Sequence, residues 1–295
     1  MPLSIPCRTF LVTPALDPSR FGKAVEVGAD VGLLDLEDGV PTALKAEARR
    51  FAIEHLVRSR RAHGPMSVRI NSLRTPDGLR DVLALLDAGA QPDAILLPKV
   101  ESPMELQQLD ELLGSRIPDA VLLAIIETPR GVSSVESIAA ATPRLHGLIF
   151  GAADLSSQMG VPLTWEPMLY ARSRIAMAAG MAGLSAIDSP FFDLEDTAGL
   201  QEETRRARAL GFTGKIVIHP HQVDIIHDAL RPSARMVDHA RRVLAQADDG
   251  KGGIHVVGGS MIGPPLVAAA RRVLASVQLE AEPVTLRTRA GSGDT

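Results

Sequence analysis

The chain carries one cysteine, Cys7, in 295 residues. It therefore has no internal disulfide, and a reducing compartment is the simplest setting. A lone cysteine in a first strand reads as a small core residue rather than a nucleophile. Aromatic residues make up 3% of the chain, too few to build stacking platforms for single-stranded nucleic acid. Lys and Arg number 31 against 35 Asp and Glu, for a net charge of −4, so the basic footprint of a nucleic-acid binder is missing as well. No apolar run approaches the roughly 20 residues needed to span a bilayer. No N-terminal stretch combines a basic start, an apolar run and a small-residue cleavage site. A cytoplasmic protein with a small-molecule partner is expected, with neither nucleic acid nor membrane as partner. A glycine-rich GxGxxG turn after the first strand is also absent, which weighs against a dinucleotide fold.

What is present is a core-forming composition, 45% hydrophobic and 22% charged, arranged as short apolar runs between longer helical patterns. The runs are Thr9–Thr13, Val31–Leu36, Ser67–Ile70, Ala94–Pro98, Val121–Glu127, Leu145–Phe150, Ser185–Ile187 and Lys215–His219. They show little polar alternation, as strands buried on both faces do. Helical patterns occupy Thr42–Val57, Thr75–Ala88, Pro103–Leu113, Pro167–Ala182 and Leu194–Leu210, and Gly89, Gly114, Gly183 and Gly211 fit helix C-terminal positions. Strand alternating with helix eight times predicts a closed (β/α)8 TIM barrel, with an open doubly wound sheet as the alternative. The barrel is expected over residues 1–225. A helical extension is expected over 226–280, with helices across Gln222–Asp248 and Pro264–Leu279 and a glycine-rich loop at Asp249–Gly259. Such an extension would cover the active site or pack on a neighbouring subunit. Residues 281–295 read as a flexible tail.

The ends of the runs are charged. The second closes on Asp35, Glu37 and Asp38, the third on Arg69 and Asn71, the fourth on Lys99 and Glu101, the fifth on Glu127 and Thr128. The sixth leads into Gly151 and Asp154, the seventh carries Asp188 and the eighth His219. Burying unpaired charge costs several kcal/mol, so a coincidence at seven strand ends is implausible. In a barrel these ends converge on the face where barrel enzymes place their chemistry. Glu127 and Asp154 are the metal candidates: two carboxylates with open positions suit Mg²⁺ or Mn²⁺, and the scarcity of histidine disfavours zinc. Arg69 offers a planar fork for a substrate carboxylate or an oxyanion, with pairing to Asp35 or Glu37 as its structural alternative. Glu37 and Asp38, adjacent and so diverging, are further catalytic candidates. A Schiff base at Lys99 is disfavoured, because acidic neighbours keep its amine protonated.

These residues sit in stretches that resemble the HpcH/HpaI aldolase superfamily, in its citrate lyase β-subunit-like branch. The stretches are Arg8-Thr-Phe-Leu-Val-Thr-Pro14, Gly28-Ala-Asp-Val-Gly-Leu-Leu-Asp-Leu-Glu-Asp-Gly-Val40, Lys45-Ala-Glu-Ala-Arg49, Val68-Arg-Ile-Asn71, Leu97-Pro-Lys-Val100, Ile126-Glu-Thr128, Phe150-Gly-Ala-Ala-Asp-Leu155, Ala186-Ile-Asp-Ser-Pro190, Gly211-Phe-Thr-Gly-Lys215 and Ile218-His-Pro-His-Gln222. Each is weak alone, but the ordered set is specific. The resemblance implies an α/β barrel, Mg²⁺ held by Glu127 and Asp154, and substrate binding by Arg69, with Arg8 and Lys99 as further substrate contacts. It implies a carbon–carbon lyase acting on a 2-hydroxy-acid thioester such as malyl-, citramalyl- or citryl-CoA, carried by coenzyme A or an acyl carrier, in a homotrimer or homohexamer. An aldolase for a free 2-oxo-4-hydroxy acid and a non-catalytic metabolite-binding subunit are the competing readings. One departure matters. Thioester lyases of this branch carry an aspartate in a C-terminal Gly-x-Met-x-Asp stretch, and the matching segment here is Gly259-Ser-Met-Ile-Gly263. Gly263 cannot transfer a proton, so either Ser260 or another carboxylate takes over, or the chemistry differs.

Overall fold

Short β-branched and leucine-rich runs pair as strands, and the helices between them shield the outer face of the sheet. The computed structural model describes residues 7–58, 64–247, 255–257 and 260–279. Strands β1 (Thr9–Pro14), β2 (Val31–Asp35), β3 (Met66–Arg69), β4 (Ala94–Leu97), β5 (Val121–Ile126), β6 (Leu145–Phe150), β7 (Ser185–Asp188) and β8 (Gly214–Val217) form a closed barrel in sequence order. All pairings are parallel, and β1 closes on β8 through Thr9–Lys215, Phe10–Ile216 and Leu11–Val217. The helices of this unit are α1 (Lys23–Glu26), α2 (Lys45–Arg58), α3 (Pro76–Asp87), α4 (Pro103–Leu113), α5 (Pro129–Ser133), α6 (Val135–Ala139), α7 (Ala152–Met159), α8 (Trp165–Ala182), α9 (Thr197–Leu210) and α10 (Gln222–Leu230).

Local chemistry sets the helix limits. Thr75 and Thr128 accept hydrogen bonds from the N–H groups of Gly78 and Gly131, each just before a proline at the first helical position. Ser102 and Glu105 form a reciprocal capping box at α4. Gly183 and Gly211 end α8 and α9 in the left-handed conformation.

The pleat divides the side chains into two cores. Phe10, Val31, Leu33, Leu96, Leu123, Ile125, Ile149, Ile187 and Ile216 fill the barrel. Leu34, Val68, Ile95, Leu97, Leu122, Ile126, Leu148 and Phe150 point outward and pack under the helices. This is why the strands read as unbroken apolar runs.

The eight expected strands are all present, within a residue or two at each end. Four short helices, α1, α5, α6 and α7, were not expected; none is long enough to display an apolar period. Helix α10 packs on β1, β8 and α9 and belongs to the barrel unit, which runs from Cys7 to Leu230, beyond the expected limit at 225. The second unit begins at Arg231 and contains α11 (Ala234–Ala247), strands β9 (His255–Val257) and β10 (Ser260–Ile262), and α12 (Pro264–Leu279). Ala240, Val243, Ile262 and Ala270 form its core. The β9–β10 antiparallel pair replaces part of the expected glycine-rich loop, and β-branched Val256 and Val257 favour that outcome. Residues 249–254, 258 and 259 of that loop and the expected tail at 281–295 lie outside the described residues. No helix among the described residues is long and apolar enough to cross a membrane.

Candidate active site

Inward-facing positions alternate along each strand, and at the C-terminal rim they stop being apolar. After Val31 and Leu33 the next inward position on β2 is Asp35; on β3, Arg69 follows Ser67. Asp35 and Arg69 are register partners across this strand pair. Arg69 donates from Nε to Asp35 Oδ1 at 2.6 Å and from Nη2 to Asp35 Oδ2 at 2.8 Å. Its Nη1 lies 2.9 Å from Glu37 Oε2. Both structural partners considered for Arg69 are thus engaged. Three of the five guanidinium N–H groups face these carboxylates, which leaves donors for an anionic ligand. Burial opposes the charge on Asp35, but Arg69 and the N–H groups of Glu37 and Gly39 hold its carboxyl below the usual range. Burial likewise opposes the charge on Arg69, and Asp35 and Glu37 together hold it firmly protonated.

The Glu37 loop is pinned from two sides. Lys45 Nζ donates to the carbonyls of Leu36 and Glu37 at 2.8 and 2.7 Å, and Asn71 Nδ2 donates to Leu36 O at 2.9 Å. Glu37 is buried and bridges Arg69 and Lys99. Asp38 points to the rim, with 59% of its side chain exposed, and reaches Lys99 Nζ at 3.3 Å.

Lys99 follows β4. Its ammonium touches Glu37 and lies 3.3 Å from Asp38 and 3.9 Å from Asp154. Burial would release its proton, but the hydrogen bond to Glu37 and the surrounding carboxylates raise its pKa above the ordinary lysine value. A Schiff-base amine is therefore disfavoured, and the expected substrate contact competes with three carboxylates already in place.

Glu127 is the next inward position after Ile125 and is 2% exposed. Its Oε1 accepts the Lys99 backbone N–H at 2.8 Å. Its Oε2 lies over Gly151, where an added Cβ would come within 2.4 Å of that oxygen. A glycine at 151 is thus required for space. Asp154 stands in the first turn of α7, one-third exposed. Burial first, then the charges of Glu37 and Asp154, push the Glu127 carboxyl up to about 8.

Asp35, Glu37, Asp38, Glu127 and Asp154 outnumber Arg69 and Lys99, the cations that pair them. With all five ionised, five acids against two cations would leave three negative charges in excess, and without a further cation burial and this crowding favour the protonated form of Glu127. A divalent ion beside Glu127 and Asp154 would offset most of that excess. Among the described residues no group of three or more His, Cys, Asp or Glu is arranged around a metal. Two hard oxygen donors with open positions fit Mg²⁺ better than zinc.

Two expected members of this face lie elsewhere. Arg8 precedes β1, at the opposite end of the barrel, with its backbone N–H on Asp30 Oδ2 at 2.6 Å and its Nε 3.7 Å from the same oxygen. A six-residue strand separates it from the mouth, roughly 20 Å of chain, so the substrate contact expected of Arg8 is corrected to an ion pair at the barrel floor. Asp188 has the outward parity of Ala186. It is sealed under the helices, 2.7 Å from Lys215 Nζ and 3.0 Å from Arg172 Nε. Glu203 completes this network at 2.8 Å from Lys215 and 3.3 Å from Arg172. The Arg172 guanidinium also lies 4.5 Å above the Trp165 ring. His219 is exposed beyond β8, with its ring 4.5 Å from that of His221. Cys7 is buried, and burial pushes its thiol up to about 12, as a core cysteine requires.

Sequence reasoning did not assign roles to Gly151, Arg172 or Lys215. Arg172 falls on the buried face of α8 at helical spacing from Met168, Ile175 and Ala176, a pattern that could have marked it, whereas Lys215 alternates with Ile216 and so faces the helices beside Asp188.

The HpcH/HpaI aldolase/citrate lyase family model matches residues 8–220. The L-malyl-CoA/beta-methylmalyl-CoA lyase of Cereibacter sphaeroides is 34% identical over 276 residues, covering 85% of this chain and 87% of that protein. The crystal structure of RipC from Yersinia pestis matches with a TM-score of 0.69 and 45% identity, covering 78% of this chain and 97% of that one. CitE from Mycobacterium tuberculosis, in complex with magnesium, acetoacetate and coenzyme A, matches with a TM-score of 0.78 and 34% identity, covering 93% of this chain and 98% of that one. The fold, the ordered motifs and these likenesses agree: the chain belongs to the HpcH/HpaI aldolase/citrate lyase family.

Proposed function

We propose that the protein is a cytoplasmic, Mg²⁺-dependent carbon–carbon lyase that cleaves a 2-hydroxy-acid acyl thioester such as malyl-, citramalyl- or citryl-CoA. The observation that carries this reading is the pair Glu127, just after β5, and Asp154, in the first turn of α7 after β6, beside a buried Arg69 with donors to spare. Relatives named as lyases, and a neighbour crystallised with magnesium and coenzyme A, support it.

Glu127 and Asp154 would hold the ion, through Oε2 of the former and the rim-facing carboxylate of the latter. Bound there, Mg²⁺ supplies Lewis acidity toward the hydroxyl and carboxylate of the acid half. Arg69 binds the carboxylate of that half, its fork oriented by Asp35 and Glu37. Glu37 and Asp38 hold Lys99, whose charge keeps the carboxylates from repelling one another apart. In cleavage a base takes the hydroxyl proton, the C–O⁻ becomes the carbonyl of an oxo acid as the carbon–carbon bond breaks, and the bond's electron pair passes to the thioester half as an enolate that takes a proton at carbon to give the acyl thioester. The assembly in this reading is a homotrimer or homohexamer in which the chain beyond the barrel covers a neighbour's mouth; light scattering behind size exclusion tests the subunit count.

The experiment is a mass-spectrometric turnover screen of malyl-, citramalyl-, methylmalyl- and citryl-CoA beside free 2-oxo-4-hydroxy acids, with Mg²⁺ and with EDTA. EDTA-sensitive cleavage of one CoA ester is expected, and Glu127→Ala should abolish Mg²⁺ binding and turnover together. Turnover of free acids alone would make the protein an aldolase. Silence throughout would leave a metabolite-binding subunit.

A further inference from the structure

Among the described residues Lys99 is the one non-glycine residue with positive φ, at 55°. L-residues avoid this conformation, so something must hold it. Two contacts do. The Lys99 N–H is taken by Glu127 Oε1 at 2.8 Å. The Lys99 carbonyl is taken by Arg74 Nη2 at 2.6 Å. Arg74 is itself clamped: its Nη1 donates to Glu101 Oε2 at 2.5 Å, and its Nε lies 3.8 Å from Glu105. Its backbone is held by a turn in which Thr75 N–H donates to Ser72 O at 2.9 Å. Glu105 in turn accepts the N–H groups of Glu101 and Ser102 at 2.9 and 3.1 Å. The loop after β3 thus grips the loop after β4 at the residue whose N–H aims at Glu127.

We propose that Arg74 is a positioning residue for Glu127, acting through the left-handed turn at Lys99. Arg74 on the carbonyl side and Glu127 on the N–H side together hold Lys99 in its left-handed turn, and the N–H so directed consumes Oε1. Gly151 leaves room for Oε2 on the other side. Glu127 is then held with one oxygen committed and the other turned toward Asp154's turn. A glycine at 99 would make the turn without a clamp. Lysine needs the clamp because its ammonium is also required between Glu37 and Asp154. The inference rests on the proposal that Glu127 is a metal ligand, but its geometry can be read without metal.

The test is a double-substitution cycle of Arg74→Met and Lys99→Gly, with two readouts. In the metal-free protein, hydrogen exchange over residues 97–101 should quicken ~10-fold or more in Arg74→Met, as it should in Glu127→Ala. Calorimetric Mg²⁺ affinity should fall ~10-fold in Arg74→Met. In the Lys99→Gly background the same Arg74 substitution should change both readouts less than ~2-fold, because glycine needs no clamp. The cycle reads this ratio, whatever the lost ammonium does by itself. Arg74→Lys keeps the charge but not the two-pronged clamp, and should behave like Arg74→Met. Equal effects in both backgrounds, or wild-type behaviour of Arg74→Lys, would overturn the proposal. A wild-type protein that binds no Mg²⁺ would sink the metal reading instead, and exchange at Lys99 would still judge the clamp.

Discussion

Gly151→Ala adds one methyl group at the tightest point of the site. The new Cβ would lie 2.3 Å from Glu127 Cβ, 2.4 Å from Oε2 and 3.1 Å from Cδ. Carbon–carbon contacts need about 3.5 Å, so the two positions must separate by roughly 1 Å. A rotamer change of Glu127 cannot supply that, because the first clash is with its Cβ. The strand ends cannot splay freely either, since Gly151 N–H donates to Ile126 O at 3.0 Å. Overpacking of this kind costs about 1–3 kcal/mol of stability. A ligand carboxylate shifted off its support loses about 10–100-fold in metal affinity. Calorimetry with Mg²⁺ and a thermal melt read both effects. Gly180→Ala is the control: nothing lies within 4 Å of its added Cβ, it sits inside α8, and alanine should stabilise that helix by about 1 kcal/mol. The same chemical change should therefore act with opposite sign at the two sites. A Gly151→Ala protein that melts normally and binds Mg²⁺ like wild type would refute the placement of Glu127 against this glycine.

Lys215→Met strands Asp188 in a buried site and should cost about 3–5 kcal/mol, read by urea denaturation; a loss under about 1 kcal/mol would mean that Arg172 alone suffices for Asp188. The metal-free protein should lose stability on both sides of a mid-acid optimum. Burial works against Asp188, yet Lys215 and Arg172 hold its folded pKa below the ordinary value, so its contribution is present above the unfolded value and lost as pH falls through the folded one. Glu127 runs the other way: with a folded value near 8, its favourable contribution is present below the unfolded value near 4.5 and is lost as pH rises toward 8. Melting curves across pH check both limbs, and Glu127→Gln, which cannot ionise, should flatten the alkaline one. Cys7 should resist alkylation at pH 8 in the folded protein and react only after denaturation, because its buried thiol stays protonated; rapid native labelling would contradict its burial.

The barrel was legible because burial is local in its effect on sequence. Apolar runs of three to seven residues, most of them followed by a helical pattern, leave few topologies open. The polar strand ends were legible too, since parallel strands in chain order bring every C-terminal end to one face. Glu37, Asp38, Arg69, Lys99, Glu127 and Asp154 do gather there. Arg8 and Asp188 do not. Arg8 lies at the right strand but the wrong end, and Asp188 lies at the right end but the wrong face.

The sequence by itself determined the fold class, the strand order and the set of charges from which the mouth is built. Tertiary structure alone decided which way each charge points and what it pairs with. The reason is the pleat: a strand buried on both faces shows no alternation to reveal which side faces the barrel, so Asp188 and Glu127 look alike in one dimension. Pairing is likewise non-local. Lys99 meets Glu37 across 62 residues, and the carbonyl and N–H of its left-handed turn are met by Arg74 and Glu127, brought from two other strand ends.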